Sequence, residues 1–220
     1  MDFDPASRSV LSACDVGRFG GTTLFERVAR VVCSADCLPR KELYESWEVA
    51  RRVRRRFRGG RVVDLACGHG LTAWLLLILD STSEAAVAVD RALPPSAARL
   101  HATMAEHWPL AAARLTLVEA ELQSWSLAAE DVVVSTHACG TLSDLVLESA
   151  MAARARVAIL PCCHDTRRCD TGGLLGWLEP ALAIDVTRAA RLRGAGYRVH
   201  TQQIPSAITP KNRLLLGSPY

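Results

Sequence analysis

Two short stretches hold most of the side chains able to do chemistry. One is Thr136-His137-Ala138-Cys139-Gly140-Thr141-Leu142-Ser143-Asp144, the other Pro161-Cys162-Cys163-His164-Asp165. His137 or His164 could serve as a general base, because imidazole titrates near neutral pH. Asp144 or Asp165 could then orient the ring. Cys162 or Cys163 could instead act as a nucleophile, adding to a ring carbon too unreactive to be attacked directly. Cys139, Cys162, Cys163, His137 and His164 are also zinc-type ligands. No C-x-x-C pair occurs, however, and neighbouring cysteines suit one tetrahedral ion poorly, so no metal is expected. Simple burial would equally account for thiols in apolar surroundings.

A second constellation is Asp64-Leu65-Ala66-Cys67-Gly68-His69-Gly70, followed at once by the apolar run Leu71–Leu79. Gly68 and Gly70 allow a tight bend and close approach of a ligand to the backbone. The amides of the following helix would face that ligand. A dinucleotide fingerprint would have glycine where Ala66 stands. The acid at the loop's start would repel a pyrophosphate but suits a ligand carrying a positive charge. Asp90 lies about 20 residues further on, where a carboxylate can accept bonds from ribose hydroxyls.

These residues need a scaffold, and the pattern supplies one. Arg61–Leu65, Ala85–Val89, Leu115–Val118, Asp131–Ser135 and Arg156–Leu160 read as short apolar strands, with helical stretches between them. The alternation implies an α/β fold: a mostly parallel sheet with helices on both faces, ending in an antiparallel hairpin of Tyr197–Ile204 and Arg213–Leu216. Both chemical stretches and the glycine loop then fall at strand carboxyl ends, where such sheets bind ligands. Residues 1–40 are expected to form an N-terminal extension, with loop or partly ordered chain up to Gly21 and a short helix capped by Thr23. Residues 41–220 form the main domain.

The loop Asp-x-x-x-Gly-x-Gly resembles the main motif of the class I, Rossmann-like S-adenosylmethionine-dependent methyltransferases. The pair His-Ala-Cys-Gly-x-x-Ser-Asp and Pro-Cys-Cys-His is similar to a subgroup of them. That subgroup includes the tRNA acceptor-stem 2′-O-methyltransferase and a methyltransferase domain fused to a glutathione-transferase-like C-terminal domain. The likeness runs from about residue 41 to 220, with Lys211-Asn212-Arg213 resembling the subgroup's last hairpin. It implies S-adenosylmethionine as cofactor, held by Asp64, Ala66, Gly68, Gly70, Asp90, Arg91, Glu121 and His137. In that family an acid after the third strand reaches the adenine amine; Glu119 and Glu121 are both placed for it, and Glu121 is preferred. The likeness also implies an RNA acceptor, with tRNA the first candidate. His137, Cys162, Cys163, His164 and Asp144 are the expected catalytic set. A small-molecule or protein acceptor, or a catalytically silent RNA-binding module, is the alternative.

The totals are consistent with this. The chain has 220 residues, half of them hydrophobic, enough for one covered sheet. A net charge of +3 does not by itself argue for nucleic acid. Arg51, Arg52, Arg54, Arg55, Arg56 and Arg58 crowd one helix, however, and could meet RNA phosphates. The bland alternative is a solvated helix face with cations near the helix C-terminus. Eight cysteines without a small loop-rich framework read as reduced thiols. No apolar run reaches the roughly 20 residues of a membrane span, and the start does not resemble a signal peptide. A cytoplasmic location without a membrane or an obligatory protein partner is expected.

Overall fold

The computed structural model describes residues 3–220. In chain order the helices are α1 (Leu24–Ala35), α2 (Arg40–Arg56), α3 (Leu71–Leu79), α4 (Ala97–His107), α5 (Pro109–Ala112), α6 (Thr141–Ala153) and α7 (Pro180–Gly194). The strands are β1 (Val62–Leu65), β2 (Ala86–Asp90), β3 (Leu115–Glu119), β4 (Val132–Ser135), β5 (Arg156–Ile159), β6 (Tyr197–Gln203) and β7 (Arg213–Pro219). They form one sheet in the order β3-β2-β1-β4-β5-β7-β6. The first five are parallel, and β7 enters antiparallel between β5 and β6. This is the α/β architecture expected from the sequence.

The local reasons are plain. Val62-Val63 and Val132-Val133-Val134 are β-branched and buried, as central strands covered on both faces must be. α3 is apolar almost all round because Leu71 through Leu77 are buried between the sheet and α2. α1 begins with a reciprocal capping box between Thr23 and Glu26. One core, including Val28, Val53, Trp74 and Met104, joins α1 to α4 to the sheet. A second, including Val63, Val146, Leu192 and Tyr197, joins α6 and α7 to the opposite face.

The segment before α1 is anchored to the body of the protein at a few points. A 3₁₀ turn spans Ala13–Arg18, and Leu11 and Phe19 are buried in the first core. Leu11 N–H donates to Leu38 O at 2.9 Å, and Arg40 N–H to Ser9 O at 3.0 Å. Isolated anchors of this kind have no periodicity, so no pattern announces them.

The direction of the sheet fixes where chemistry can happen. β1 leads to β2 and β3 on one side and is followed by β4 and β5 on the other. The chain therefore splays apart at the carboxyl ends of β1 and β4, the usual place for a ligand crevice. The opposite end is closed by ion pairs and carbonyl contacts. Arg61 forks onto Asp131 at 2.7 and 2.9 Å, and Arg156 reaches Arg58 O at 2.7 Å and Glu130 O at 2.6 Å.

Candidate active site

Two neighbouring cavities open at the carboxyl end of the sheet. The first, about 210 Å³, is lined by Ala66, Val89, Asp90, Arg91, Ala120, Glu121, Leu122 and Leu142. Four of the residues expected to hold a cofactor thus meet in one place. Asp90 Oδ2 accepts Gly68 N–H at 2.8 Å, and its other oxygen accepts Ala92 N–H at 3.3 Å. Glu119 and Glu121 are now distinguishable. Glu119 Oε1 is occupied by Leu93 N–H at 2.9 Å, whereas Glu121 lines the cavity.

The glycine loop is built by packing. Gly70 has φ +75°, and a Cβ there would sit 3.1 Å from Leu117 and 3.3 Å from Ala88. Only glycine lets α3 start this close to β2 and β3. Nothing lies within 4 Å of the Cβ position at Gly68, so the space above the loop is open to a ligand. Ala66 also has positive φ, +55°, which is uncommon for a residue with a side chain. An open space at Gly68, a carboxylate at Asp90 and apolar walls from Val89, Leu122 and Leu142 fit a nucleoside-bearing ligand.

Asp64 does not line this cavity. It is buried beneath the loop, with Oδ2 accepting Ala73 N–H at 3.1 Å in the first turn of α3. Burial pushes its carboxyl up to about 7, against the opposing Ala73 bond and with a smaller push from the Asp90 charge. Its place makes it a support of the turn rather than a direct ligand contact.

The second cavity, about 680 Å³, is lined by Lys41, Glu42, Glu45, His137, Cys139, Cys162, Cys163 and Lys211, among others. Arg8, Pro39, Thr209 and Pro210 complete the wall. The stretch after β4 and the stretch after β5 therefore do converge. Burial, then Lys41 and His69, push the His137 imidazole down to about 4, so it is neutral near pH 7 and keeps a free lone pair. The His137 segment is held from below. Thr72 and Thr136 hydroxyls lie 2.9 Å apart, Ser135 Oγ donates to Leu65 O, and Ser143 Oγ donates to Ala138 O. Gly140 has φ +57° and ψ −127°, a region essentially restricted to glycine, and its N–H donates to Cys163 O at 3.3 Å. That bond joins the two stretches.

Two expected catalytic residues face elsewhere. His164 turns its ring toward α7, where Nε2 meets Asp185 Oδ1 at 2.8 Å. The His164 side chain is only 3% exposed, and it lines neither cavity. Asp144 orients no histidine. It receives the Nε and Nη2 of Arg188 at 2.8 and 2.9 Å. The same buried Arg188 donates to Gly140 O at 2.9 Å. Asp165, the other candidate orienter, accepts Arg167 N–H at 3.0 Å instead. Burial alone would raise the Asp185 carboxyl, but His164 and Arg213 hold it below its usual value. Arg213, from the Lys-Asn-Arg hairpin sequence, meets Asp185 Oδ2 at 2.7 Å. The set His164, Asp185, Arg188, Asp144 and Arg213 clamps both stretches to α6, α7 and β7.

The arginine helix is corrected in one respect. Arg54 is 2% exposed and is consumed internally. It donates to Leu76 O at 3.0 Å and Ser83 Oγ at 2.8 Å, and pairs with Asp80 at 3.3 Å. Removing it from the surface leaves no role for it with phosphates. Arg51 and Arg52 pair with Glu48, Arg56 contacts His200, and Arg58 reaches Leu79 O at 3.2 Å. Arg51, Arg52 and Arg56 lie in the C-terminal half of α2 and Arg58 just beyond it; Arg52 also reaches Gln203 O at the end of β6, at 3.1 Å. Lys41, Glu42 and Glu45, at the other end of that 17-residue helix, face the second cavity. A helix of that length separates its ends by roughly 25 Å. Sequence patterning gave no sign of Lys41 and Glu45 as site residues, although their i, i+4 spacing and ion pair put both on one face.

Among the described residues, no helix is long and apolar enough to cross a membrane. No curated protein matches the chain. Solved structures share the fold at low identity. The S-adenosylmethionine-dependent methyltransferase SibL in its apo form is 18% identical over 96% of this chain and 66% of its own, with TM-score 0.52. The mitomycin 7-O-methyltransferase MmcR is 15% identical over 95% of this chain and 63% of its own, with TM-score 0.52. A ribosomal protein L11 methylase from Lactobacillus delbrueckii subsp. bulgaricus is 11% identical over 81% of this chain and 78% of its own, with TM-score 0.51. The chain thus spans just under two thirds of the first two. A family model described as a methyltransferase domain matches residues 41–169, which takes in the glycine loop, Asp90 and both chemical stretches. The chain belongs to that methyltransferase-domain family.

Proposed function

We propose that this protein is an S-adenosylmethionine-dependent methyltransferase that modifies a nucleotide of RNA, with tRNA as the first candidate. One observation carries the cofactor assignment: Asp90, at the end of β2, is fixed by Gly68 N–H directly beside the open face of the glycine loop. From there the carboxylate can accept hydrogen bonds from two neighbouring hydroxyls. Glu121 offers a further acceptor, and Val89, Leu122 and Leu142 offer apolar walls for a flat ring. S-adenosylmethionine, when bound, supplies an electrophilic methyl group on its sulfonium.

The second cavity supplies the acceptor's side. Arg8, Lys41 and Lys211 line it together with Glu42 and Glu45, Lys41 pairing with Glu45 at 2.5 Å, and the three cations offer contacts to a phosphate-bearing group. His137, which lines the cavity and is neutral near pH 7, would take the proton from an attacking oxygen or nitrogen. Proton removal of this kind contributes roughly 10²–10⁴ in rate. Cys162 and Cys163 share the cavity, which leaves an initial thiolate addition to a ring carbon as a distinct variant of the same reading. A small-molecule acceptor is the second reading, favoured by the enclosure that Arg8 and Pro39 of the N-terminal segment give this cavity.

Incubation with methyl-labelled S-adenosylmethionine and separate RNA, protein and small-molecule fractions tests the proposal. Label in RNA, lost in Asp90→Ala, supports it. Label confined to the small-molecule fraction supports the second reading. Absence of calorimetric cofactor binding, with RNA binding intact, would make the protein a silent binding module.

A further inference from the structure

The thiols of Cys139, Cys162 and Cys163 all lie within 4.8 Å of one another, although they come from two separate loops. Cys139 Sγ is 2.8 Å from Cys162 Sγ, and Cys162 Sγ is 3.8 Å from Cys163 Sγ. In a tetrahedral zinc site with Zn–S bonds of about 2.3 Å, sulfur pairs stand about 3.8 Å apart. One edge of the triangle already has that length, and another needs to open by about an ångström.

Adjacency of Cys162 and Cys163 is less of an obstacle than the sequence suggests. In a strand, successive side chains would point to opposite faces. Both residues lie past the end of β5, in backbone that is neither helix nor strand, and both thiols turn into the same cavity. The two loops are also fixed relative to each other before any ion arrives, by Gly140 N–H on Cys163 O and by Arg188 on Gly140 O. Cys139 and Cys163 are exposed, so an ion has a path of entry from the cavity.

We propose that Cys139, Cys162 and Cys163 bind a single zinc ion through three thiolates, with the fourth coordination position open to the acceptor cavity. Each thiol gives up its proton to solvent as its sulfur–zinc bond forms, so three protons leave per ion. The resulting site carries one net negative charge, with Lys41, Lys211 and Arg8 lining the same cavity to offset it and Glu42 and Glu45 opposing them. Three protein ligands with a vacant fourth place are the arrangement of reactive rather than purely structural zinc sites. The open position would take water or a nucleophilic atom of the acceptor. This proposal stands apart from the cofactor assignment, because its readout is metal binding and not methyl transfer.

Cobalt(II) is the probe, added to fully reduced full-length protein and followed by its thiolate charge-transfer and tetrahedral visible bands. The expected result is one equivalent bound with intense thiolate bands, displaced stoichiometrically by zinc. Cys139→Ser and Cys163→Ser, at exposed positions, should each weaken zinc binding at least about a hundredfold. Cys14→Ser, an exposed thiol outside the cluster, should leave binding unchanged. Failure of reduced protein to take up cobalt would overturn the site. So would uptake that survives Cys139→Ser and Cys163→Ser, or that is lost in Cys14→Ser.

Discussion

Gly68 donates its backbone N–H to Asp90 Oδ2 at 2.8 Å, so the turn after β1 is locked to the last residue of β2. The carboxylate is thereby presented with its direction set before a ligand arrives, and little has to be reordered on binding. Asp90→Ala removes both that lock and the acceptor for ligand hydroxyls. Each charge-assisted hydrogen bond removed is worth roughly 1.5–3 kcal/mol. The expected outcome by calorimetry is a rise in the Kd for S-adenosylmethionine of at least about tenfold. An unchanged Kd would remove the cofactor assignment.

Arg188 gives a stability prediction. It is 1% exposed and bonds Asp144 twice, so truncating it leaves that carboxylate with only Arg191, at 3.8 Å, and frees Gly140 O. Breaking a buried pair from one side costs roughly 3–5 kcal/mol, and replacing both partners with apolar groups costs much less. Arg188→Met should therefore lower the urea midpoint strongly, and Arg188→Met with Asp144→Leu should recover part of the loss. A double variant no better than the single would show that Arg188 stabilises through Asp185 or Gly140 instead.

Much of this molecule is readable from its residues, and the unreadable part has a physical reason. α3 is legible because eight of the nine residues between Gly70 and Asp80, all but Thr72, are apolar and suit a buried element. Asp90 and the glycine loop are legible because a strand end, an acid and close glycines are local features. Arg54 misleads because a lone cation among five other arginines reads as surface. Its spacing of four from Ala50 puts it on the buried face, and its partner Asp80 follows the next helix. The clamp of His164, Asp185 and Arg213 is invisible for another reason. Its pairs are 21 and 28 residues apart, and nothing local marks such a meeting. Local likeness placed His164 and Asp144 in the catalytic set, but long-range pairing turned both inward.

Asp64 makes stability depend on pH in an unusual direction. Its folded value of about 7 stands above the ordinary 3.8, so the folded state holds a proton that the unfolded chain has released. The stabilisation from this group is complete below pH 3.8 and is lost as pH rises through about 7. The slope is at most about 1.4 kcal/mol per pH unit for one group. Asp64→Asn retains an oxygen for Ala73 N–H but cannot titrate. Relative to the parent, its stability should therefore rise between pH 4 and pH 7. Parallel stability curves for the two proteins, from urea midpoints across that range, would contradict the buried-acid account.

His137 should set the acid side of any activity profile. With its imidazole pushed down to about 4, it is already deprotonated at neutral pH, so the rate should be flat near pH 7 on its account and fall only in acid. His137→Gln keeps the polarity but not the base. The expected loss is about 10²–10⁴ in kcat, with the Kd for S-adenosylmethionine little changed. A variant with parental kcat would transfer the proton-accepting role elsewhere, and a variant that lost cofactor affinity instead would place His137 in the first cavity.

The direction of approach of RNA provides the last test. Arg55 and Arg56 are exposed but sit at the C-terminal end of α2, Arg56 against His200 in the middle of β6, whereas Lys41 and Lys211 border the cavity that holds His137. A substrate phosphate near the reacting atom must lie by the lysines, because the helix carries Arg55 and Arg56 roughly 21 Å away from Lys41. Lys41→Ala with Lys211→Ala should weaken RNA binding. It should also flatten the plot of log affinity against log salt concentration by about 0.7 for each single-strand phosphate that the lysines no longer neutralise. Arg55→Ala with Arg56→Ala should affect the rate of methylation little, even if it trims affinity for a long RNA. If the arginine pair abolishes methylation and the lysine pair does not, RNA must wrap the far end of α2, and the cavity's cations serve some other acceptor.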